Sequence, residues 1–98
     1  DQFLAKIFCV SPISINKQLT LKCVTQKSFA RIKQINNALD TDKLEVFKGD
    51  GSLKELDAAE VIIAAEIPLV LKRFSQLNAL GRFVLEDDKE ICAVGIIP

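Results

Sequence analysis

Four residue types that commonly carry chemistry or stacking are absent from this chain, which contains no histidine, tryptophan, tyrosine or methionine. Without histidine there is no Ser-His-Asp or Cys-His arrangement, no histidine general base and little basis for a catalytic zinc site. Its glycines form neither a G-x-x-x-x-G-K-[ST] loop nor a G-x-G-x-x-G loop, so the chain has no phosphate cradle of its own. The sequence predicts a binding domain that is not an enzyme and holds no cofactor.

Long apolar runs and targeting segments are also missing. No stretch approaches the ~20 apolar residues of a membrane-spanning helix, so no membrane partner is expected. The start, Asp1-Gln2-Phe3, has neither the basic region nor the cleavage site of a signal peptide, and the lack of an initiating methionine suggests an excised fragment.

The cysteines are few and unpaired. Cys9, Cys23 and Cys92 are an odd number with no C-x-x-C spacing, which argues against a zinc site and a disulfide framework. Each lies in an apolar run, where a free thiol behaves as a small hydrophobic group. We expect buried, inert thiols in a reducing, cytoplasmic compartment.

Acidic residues in the middle of the chain suggest a calcium loop, but their spacing is wrong. With Gly51 as the loop glycine, the first and third ligand positions fall on Val46 and Lys48, and the twelfth is Asp57 instead of glutamate. No metal site is therefore predicted.

The residues that are present indicate one all-β domain over residues 1–98. Length and a hydrophobic fraction of 49% suit a single soluble domain with one core. Apolar residues recur mainly with period two, and the alternation slips near Gln34, which predicts a bulge. Strands are predicted at Phe3–Val10 (covered on both faces), Leu19–Val24, Ser28–Leu39, Leu44–Phe47, Ala58–Ile67, Leu69–Leu71, Arg82–Glu86 and Glu90–Ile97.

The segment Ala58–Ile67 is ambiguous, because its Ala and Glu content suits a helix while Val61-Ile62-Ile63 and Pro68 suit a central strand. We interpret it as a strand, and expect one helical or 3₁₀ turn at Arg73–Leu77. About six short strands and no strong helix predict a single closed antiparallel barrel, which leaves no exposed sheet edges. Four phenylalanines are expected in its core and not in a base-stacking platform: Phe3, Phe8, Phe29 and Phe83.

Charge is balanced in total but not along the chain. Net charge is zero, which gives no nucleic-acid signal, yet the first half is basic and permits a basic face of Lys17, Lys22, Lys27, Arg31 and Lys33. Glu86-Asp87-Asp88 is either a solvated turn or a docking patch for a basic partner. Arg82 is either in a salt bridge at the barrel rim or in contact with a ligand.

The end of the chain follows the pattern L-G-R-F-x-L-R-D-x-G-x-T-I-A-x-G. The matching positions, in register and without a gap, are Leu80, Gly81, Arg82, Phe83, Leu85, Asp87, Ala93 and Gly95. Upstream, Phe3-Leu4-Ala5-Lys6-Ile7 is similar to an opening F-x-A-x-I strand, and Leu21-Lys22-Cys23-Val24-Thr25 to a strand that often ends in C-H-T. The chain thus resembles the third, C-terminal β-barrel domain of eukaryotic translational GTPases: elongation factor one-alpha, the GTPase release factors, and the GTPase that works with Pelota on stalled ribosomes.

The departures from that pattern are mainly polar. Glu86 replaces an arginine, Lys89 replaces the turn glycine, and Val24 replaces the histidine of C-H-T. The reversed charge at Glu86 disfavours an anionic RNA partner at that edge. Together, the departures indicate a divergent member.

The resemblance implies a non-catalytic, protein-docking barrel of a factor in termination, ribosome rescue or mRNA surveillance. Its expected partners are the G domain and second barrel of the same protein, where GTP and Mg would bind, and a tRNA-shaped release or rescue factor or the RNA-decay machinery. The alternatives are an aminoacyl-tRNA-contacting barrel of an elongation factor and a stand-alone structural β-domain. The candidate partner-binding residues are Arg73, Arg82, Glu86, Asp87, Asp88, Lys22 and Arg31.

Overall fold

The computed structural model describes residues 2–40, 45–47, 52–67, 69–73, 76 and 78–98. In these parts of the chain the regular elements are nearly all strands, with one helical turn. They are β1 (Gln2–Cys9), β2 (Ile13–Ser14), β3 (Leu19–Cys23), β4 (Gln26–Asp40), β5 (Glu45–Phe47), β6 (Ser52–Leu53), β7 (Asp57–Ala65), α1 (Asn78–Gly81), β8 (Arg82–Asp87) and β9 (Glu90–Ile96).

Six of the strands close into a barrel. They follow one another in the order β3-β8-β9-β1-β7-β4, every neighbouring pair is antiparallel, and β4 pairs back onto β3. Strand β5 extends the sheet beyond β4, while β2 and β6 pair separately. The predicted all-β, closed six-stranded antiparallel barrel is confirmed, and closure satisfies the backbone groups that an open sheet would expose.

The core consists of the inward-facing residues of each barrel strand. Phe3 and Phe83 meet edge to face with ring centroids 6.1 Å apart. Strand β1 was predicted to be covered on both faces, which is wrong, because Leu4 and Val10 point outward and are exposed. A barrel strand has only one inner face. The buried set includes Ala5, Ile7, Leu19, Leu21, Ala30, Ile32, Val61, Ile63, Phe83, Leu85 and Ala93.

Strand β4 carries the clearest error among the core predictions. Phe83 is buried as predicted, but Phe29 is 49% exposed, because Ala30 and Ile32 take the inner face of β4. Phe8, on β1, is only half-buried on the outer face. The predicted bulge near Gln34 is confirmed by register shifts on either side of it.

The segment after β7 departs from the predicted pattern. Leu69–Leu71 is not a strand. Instead, the Gln26 side chain bonds both backbone groups of Val70: its Nε2 donates to the Val70 carbonyl (2.8 Å), and the Val70 N–H donates to its Oε1 (2.7 Å). Residues 78–81 form the helical turn α1. The predicted turn at Arg73–Leu77 lies partly outside the described residues, and within it the Gln76 N–H donates to the Arg73 carbonyl at 2.9 Å. A side-chain amide thus replaces a neighbouring strand in holding this segment.

The turn between β8 and β9 places two ordinary residues in the left-handed region. Asp88 has φ of 51° and Lys89 has φ of 70°, as a two-residue hairpin turn of the primed type requires. Glycine adopts this conformation without a steric penalty, whereas a residue with a Cβ does not.

Lys89→Gly is therefore expected to raise the free energy of unfolding by about 1 kcal/mol. Urea denaturation measures the change. Lys89→Ala is the matched control, since it removes the charge but keeps the Cβ, and it is expected to give no gain. Equal effects of the two substitutions would contradict a conformational origin.

Candidate functional site

The described residues form a large open groove of about 790 Å³ on the outside of the barrel. It runs across β1, β9 and β8 to the turn that follows β3. Its lining includes Lys6, Phe8, Lys22, Val24, Ala79, Arg82, Val84, Val94 and Ile96. We call this surface the outer groove.

The floor of the outer groove is apolar because of strand register. Phe8 pairs with Val94, and Val94 pairs with Val84, so their side chains form one row across three strands. In the next row Lys6 and Arg82 flank Ile96 from either side. The result is an apolar strip with a cation at each margin.

The cations at the margins differ in their pairing. Lys22 Nζ lies 3.1 Å from Glu86 Oε2, and the Glu86 side chain is only 14% exposed. Across the hairpin Lys22 faces Lys27 directly, a like-charge pair that Glu86 offsets. Lys6 and Arg82 form no ion pair with any carboxylate in the described parts of the chain, although Lys6 faces Glu60 across β1 and β7.

A second ion pair lies at the far end of β8. Lys17 Nζ donates to Asp87 Oδ2, and this hydrogen bond, followed by the charge of Asp87, raises the pKa of Lys17. Asp88 is exposed at the tip of the same hairpin. Two cations of the predicted basic face, Lys17 and Lys22, are therefore engaged by the acidic residues of this hairpin.

The structure does not bring all the predicted binding residues onto one surface. Lys22, Arg82 and Glu86 cluster at the outer groove. Arg73 follows the segment that Gln26 holds, at the opposite end of the barrel from Asp88.

Arg31 is exposed on β4, where its Nη2 donates to Gln18 Oε1 at 3.4 Å. Sequence reasoning missed the apolar floor of the outer groove and also Lys6, Phe8 and Val24. Alternation along β1 already placed Lys6 and Phe8 on the same face, but nothing in the sequence set that face beside β9.

The thiols do not form a reactive site. Cys9, Cys23 and Cys92 are free and buried. Burial, followed by the nearby charge of Asp57, raises the pKa of Cys9 to about 12, and burial is also the main cause of the raised pKa of Cys23 and Cys92. Such thiols stay protonated and unreactive at neutral pH.

Two negative findings apply to the described part of the chain. No group of three or more His, Cys, Asp or Glu side chains there is arranged to hold a metal ion. None of its helices has the length and apolar character needed to cross a membrane.

Comparison with known proteins tests the resemblance that the last hairpin suggested. The family model described as GTP-eEF1A C-terminal domain-like matches residues 2–98. The chain belongs to this family. Its sequence is 30% identical to elongation factor 1-alpha of Ignicoccus hospitalis and 31% identical to that of Hyperthermus butylicus, each over 99% of the chain. The chain spans 23% of the length of each of these relatives.

Solved structures agree on the fold. The barrel is similar to part of Sup35 complexed with GDP, with a TM-score of 0.84 and 19% identity over 99% of this chain and 25% of that one. For Sup35 complexed with GMPPNP the TM-score is 0.82, with 20% identity over 98% of this chain and 24% of that one. The chain is thus the C-terminal barrel of a translational GTPase family, a non-catalytic domain, and the nucleotide site of such proteins lies in the G domain.

Proposed function

We propose that this barrel is the protein-docking domain of a translational-GTPase-like factor in termination, ribosome rescue or mRNA surveillance. It forms the C-terminal domain of a larger cytoplasmic protein whose G domain would bind GTP and Mg. Its external partner is a tRNA-shaped release or rescue factor, or a component of the RNA-decay machinery.

The observation that carries this proposal is the outer groove. Its row of Phe8, Val94 and Val84 offers apolar area, which a protein partner buries favourably and a phosphate backbone does not. Lys6 and Arg82 at its margins favour carboxylates on that partner. We therefore assign the groove as the main contact and the exposed acidic tip of the β8–β9 hairpin as an adjacent one.

The remaining candidate residues belong to other contacts in this proposal. Arg73 lies near α1, at the other end of the barrel from Asp88, so the two cannot touch the same small segment of a partner. Arg31 lies closer to the hairpin, since it bonds Gln18, and the preceding Lys17 pairs with Asp87. We assign both to contacts with the neighbouring domains or with a second lobe of the external partner.

A tRNA-contacting barrel is the second candidate, and one observation favours it. Strand β4 exposes Lys27, Phe29, Arg31 and Lys33, a basic run interrupted by an aromatic ring. Two observations argue against the RNA contact. Carboxylates pair with Lys17 and Lys22, and Glu86 lies beside the like-charge pair of Lys22 and Lys27. Aminoacyl-tRNA affinity that falls steeply with salt would support the RNA contact, and a flat response would exclude it.

The double substitution Glu86→Arg with Asp87→Ala tests the docking proposal. It breaks both ion pairs and reverses the charge of the hairpin, so affinity for a tRNA-shaped release or rescue factor, measured by isothermal titration calorimetry, is expected to fall at least about tenfold. Circular dichroism confirms that the variant is folded. Unchanged affinity for every candidate partner would show that this edge of the barrel is not a docking surface.

A further inference from the structure

Val24 has an unusual backbone conformation for its residue type. It is the first residue of the two-residue turn between β3 and β4, with φ of 58°, and its side chain belongs to the outer groove. A β-branched residue in the left-handed region is strained, and such strain persists where the surroundings enforce it and tends to occur at functional sites. The side chain is also 63% exposed, so burial within the barrel does not explain why valine is there.

The turn that carries Val24 is held on both sides. Before it, the Cys23 thiol donates to the Ala79 carbonyl at 3.7 Å. After it, Gln26 bonds both backbone groups of Val70. The turn is therefore held at both ends, and a preorganised backbone loses less entropy on binding.

We propose that Val24 is the apolar anchor of the outer groove and selects a partner segment with an apolar pocket flanked by carboxylates. This inference rests on the proposed docking function. The charge complementarity comes from Lys6 and Arg82, which flank the floor without an ion pair among the described residues.

Val24→Asn separates the contribution of this side chain to binding from its effect on the stability of the turn. Asparagine tolerates the left-handed conformation but presents a polar side chain. The expected result is an unchanged or higher melting temperature together with about tenfold weaker binding of the tRNA-shaped partner, the equivalent of about 1.4 kcal/mol. Val70→Asn is the matched control. Val70 is 61% exposed at the same end of the barrel but is not part of the groove lining, so its substitution should leave affinity unchanged.

Arg82→Glu distinguishes failure of this inference from failure of the proposed function. If Arg82→Glu weakens binding and Val24→Asn does not, the groove is a docking surface but Val24 is not its anchor. If neither weakens binding, or the unsubstituted protein does not bind, both proposals are wrong. Equal losses from Val24→Asn and Val70→Asn would also overturn the assignment of Val24.

Discussion

Gly95→Ala is expected to lower the free energy of unfolding by about 3 kcal/mol, at the upper end of the usual cost of overpacking a core. A Cβ built on Gly95 would lie less than 3 Å from three atoms of the Phe83 ring. Phe83 pairs directly with Gly95 across β8 and β9 and is itself held edge-on by Phe3. Because Phe83 is buried and packed against Phe3, either the ring or the backbone must shift to admit the added methyl group.

A double-mutant cycle tests this origin by urea denaturation. In a Phe83→Leu background the flat ring is gone, and Gly95→Ala is expected to cost at least about 1 kcal/mol less than in the original chain. Ala64→Val is the control: it adds carbon atoms to an outward position of β7 and should change stability by about 0.5 kcal/mol or less. A cost at Gly95 that does not depend on Phe83 would contradict the packing explanation.

Alkaline unfolding is the second large effect, and the thiols are its cause. The pKa of Cys9 is raised from 9.0 to about 12 in the folded chain. Because the folded state holds the proton more tightly, this contribution to stability is complete below about pH 9 and is lost as the pH rises toward 12. Each thiol that ionises only in the unfolded chain lowers stability by about 1.4 kcal/mol per pH unit.

Urea denaturation at pH 8, 9.5 and 10.5 measures the slope, with Cys9→Ala as the comparison. The variant is expected to start from a lower stability at pH 8 but to decline less steeply above pH 9. Asp87 raises the pKa of Lys17, so the contribution of Lys17 to stability also declines at alkaline pH. This decline is the same in both proteins, so the difference between their two slopes reports on Cys9. Parallel slopes would contradict an ionisation cost at Cys9.

Strand alternation was sufficient to predict the barrel and its last hairpin. The inner face of β3 is formed by Leu19, Leu21 and Cys23, the residues that the period-two pattern selected. The prediction failed at Phe29 because it followed residue type, whereas alternation places Phe29 on the same outer face as Lys27, Arg31 and Lys33. On β4 the smaller Ala30 and the branched Ile32 fill the inner space, so the larger ring remains outside.

The outer groove could not be predicted in the same way. Val84 and Val94 face each other within the predicted last hairpin, but Phe8 is far away in the chain and joins them only through the pairing of β1 with β9. The reason for Gly95 likewise depends on register, since Phe83 and Gly95 are both visible in the terminal pattern but their pairing across β8 and β9 is not. Charge placement was partly predictable: the acidic tip was evident, but its pairing with Lys17 and Lys22 was not.

The central claim is that the outer groove, and not the basic strand β4, receives the partner. The most direct test compares two charge reversals, Arg82→Glu at the groove and Lys33→Glu on β4, in titrations with a tRNA-shaped release or rescue factor. We predict that Arg82→Glu weakens binding at least about tenfold while Lys33→Glu leaves it unchanged. Loss of binding with Lys33→Glu and not with Arg82→Glu would contradict the account.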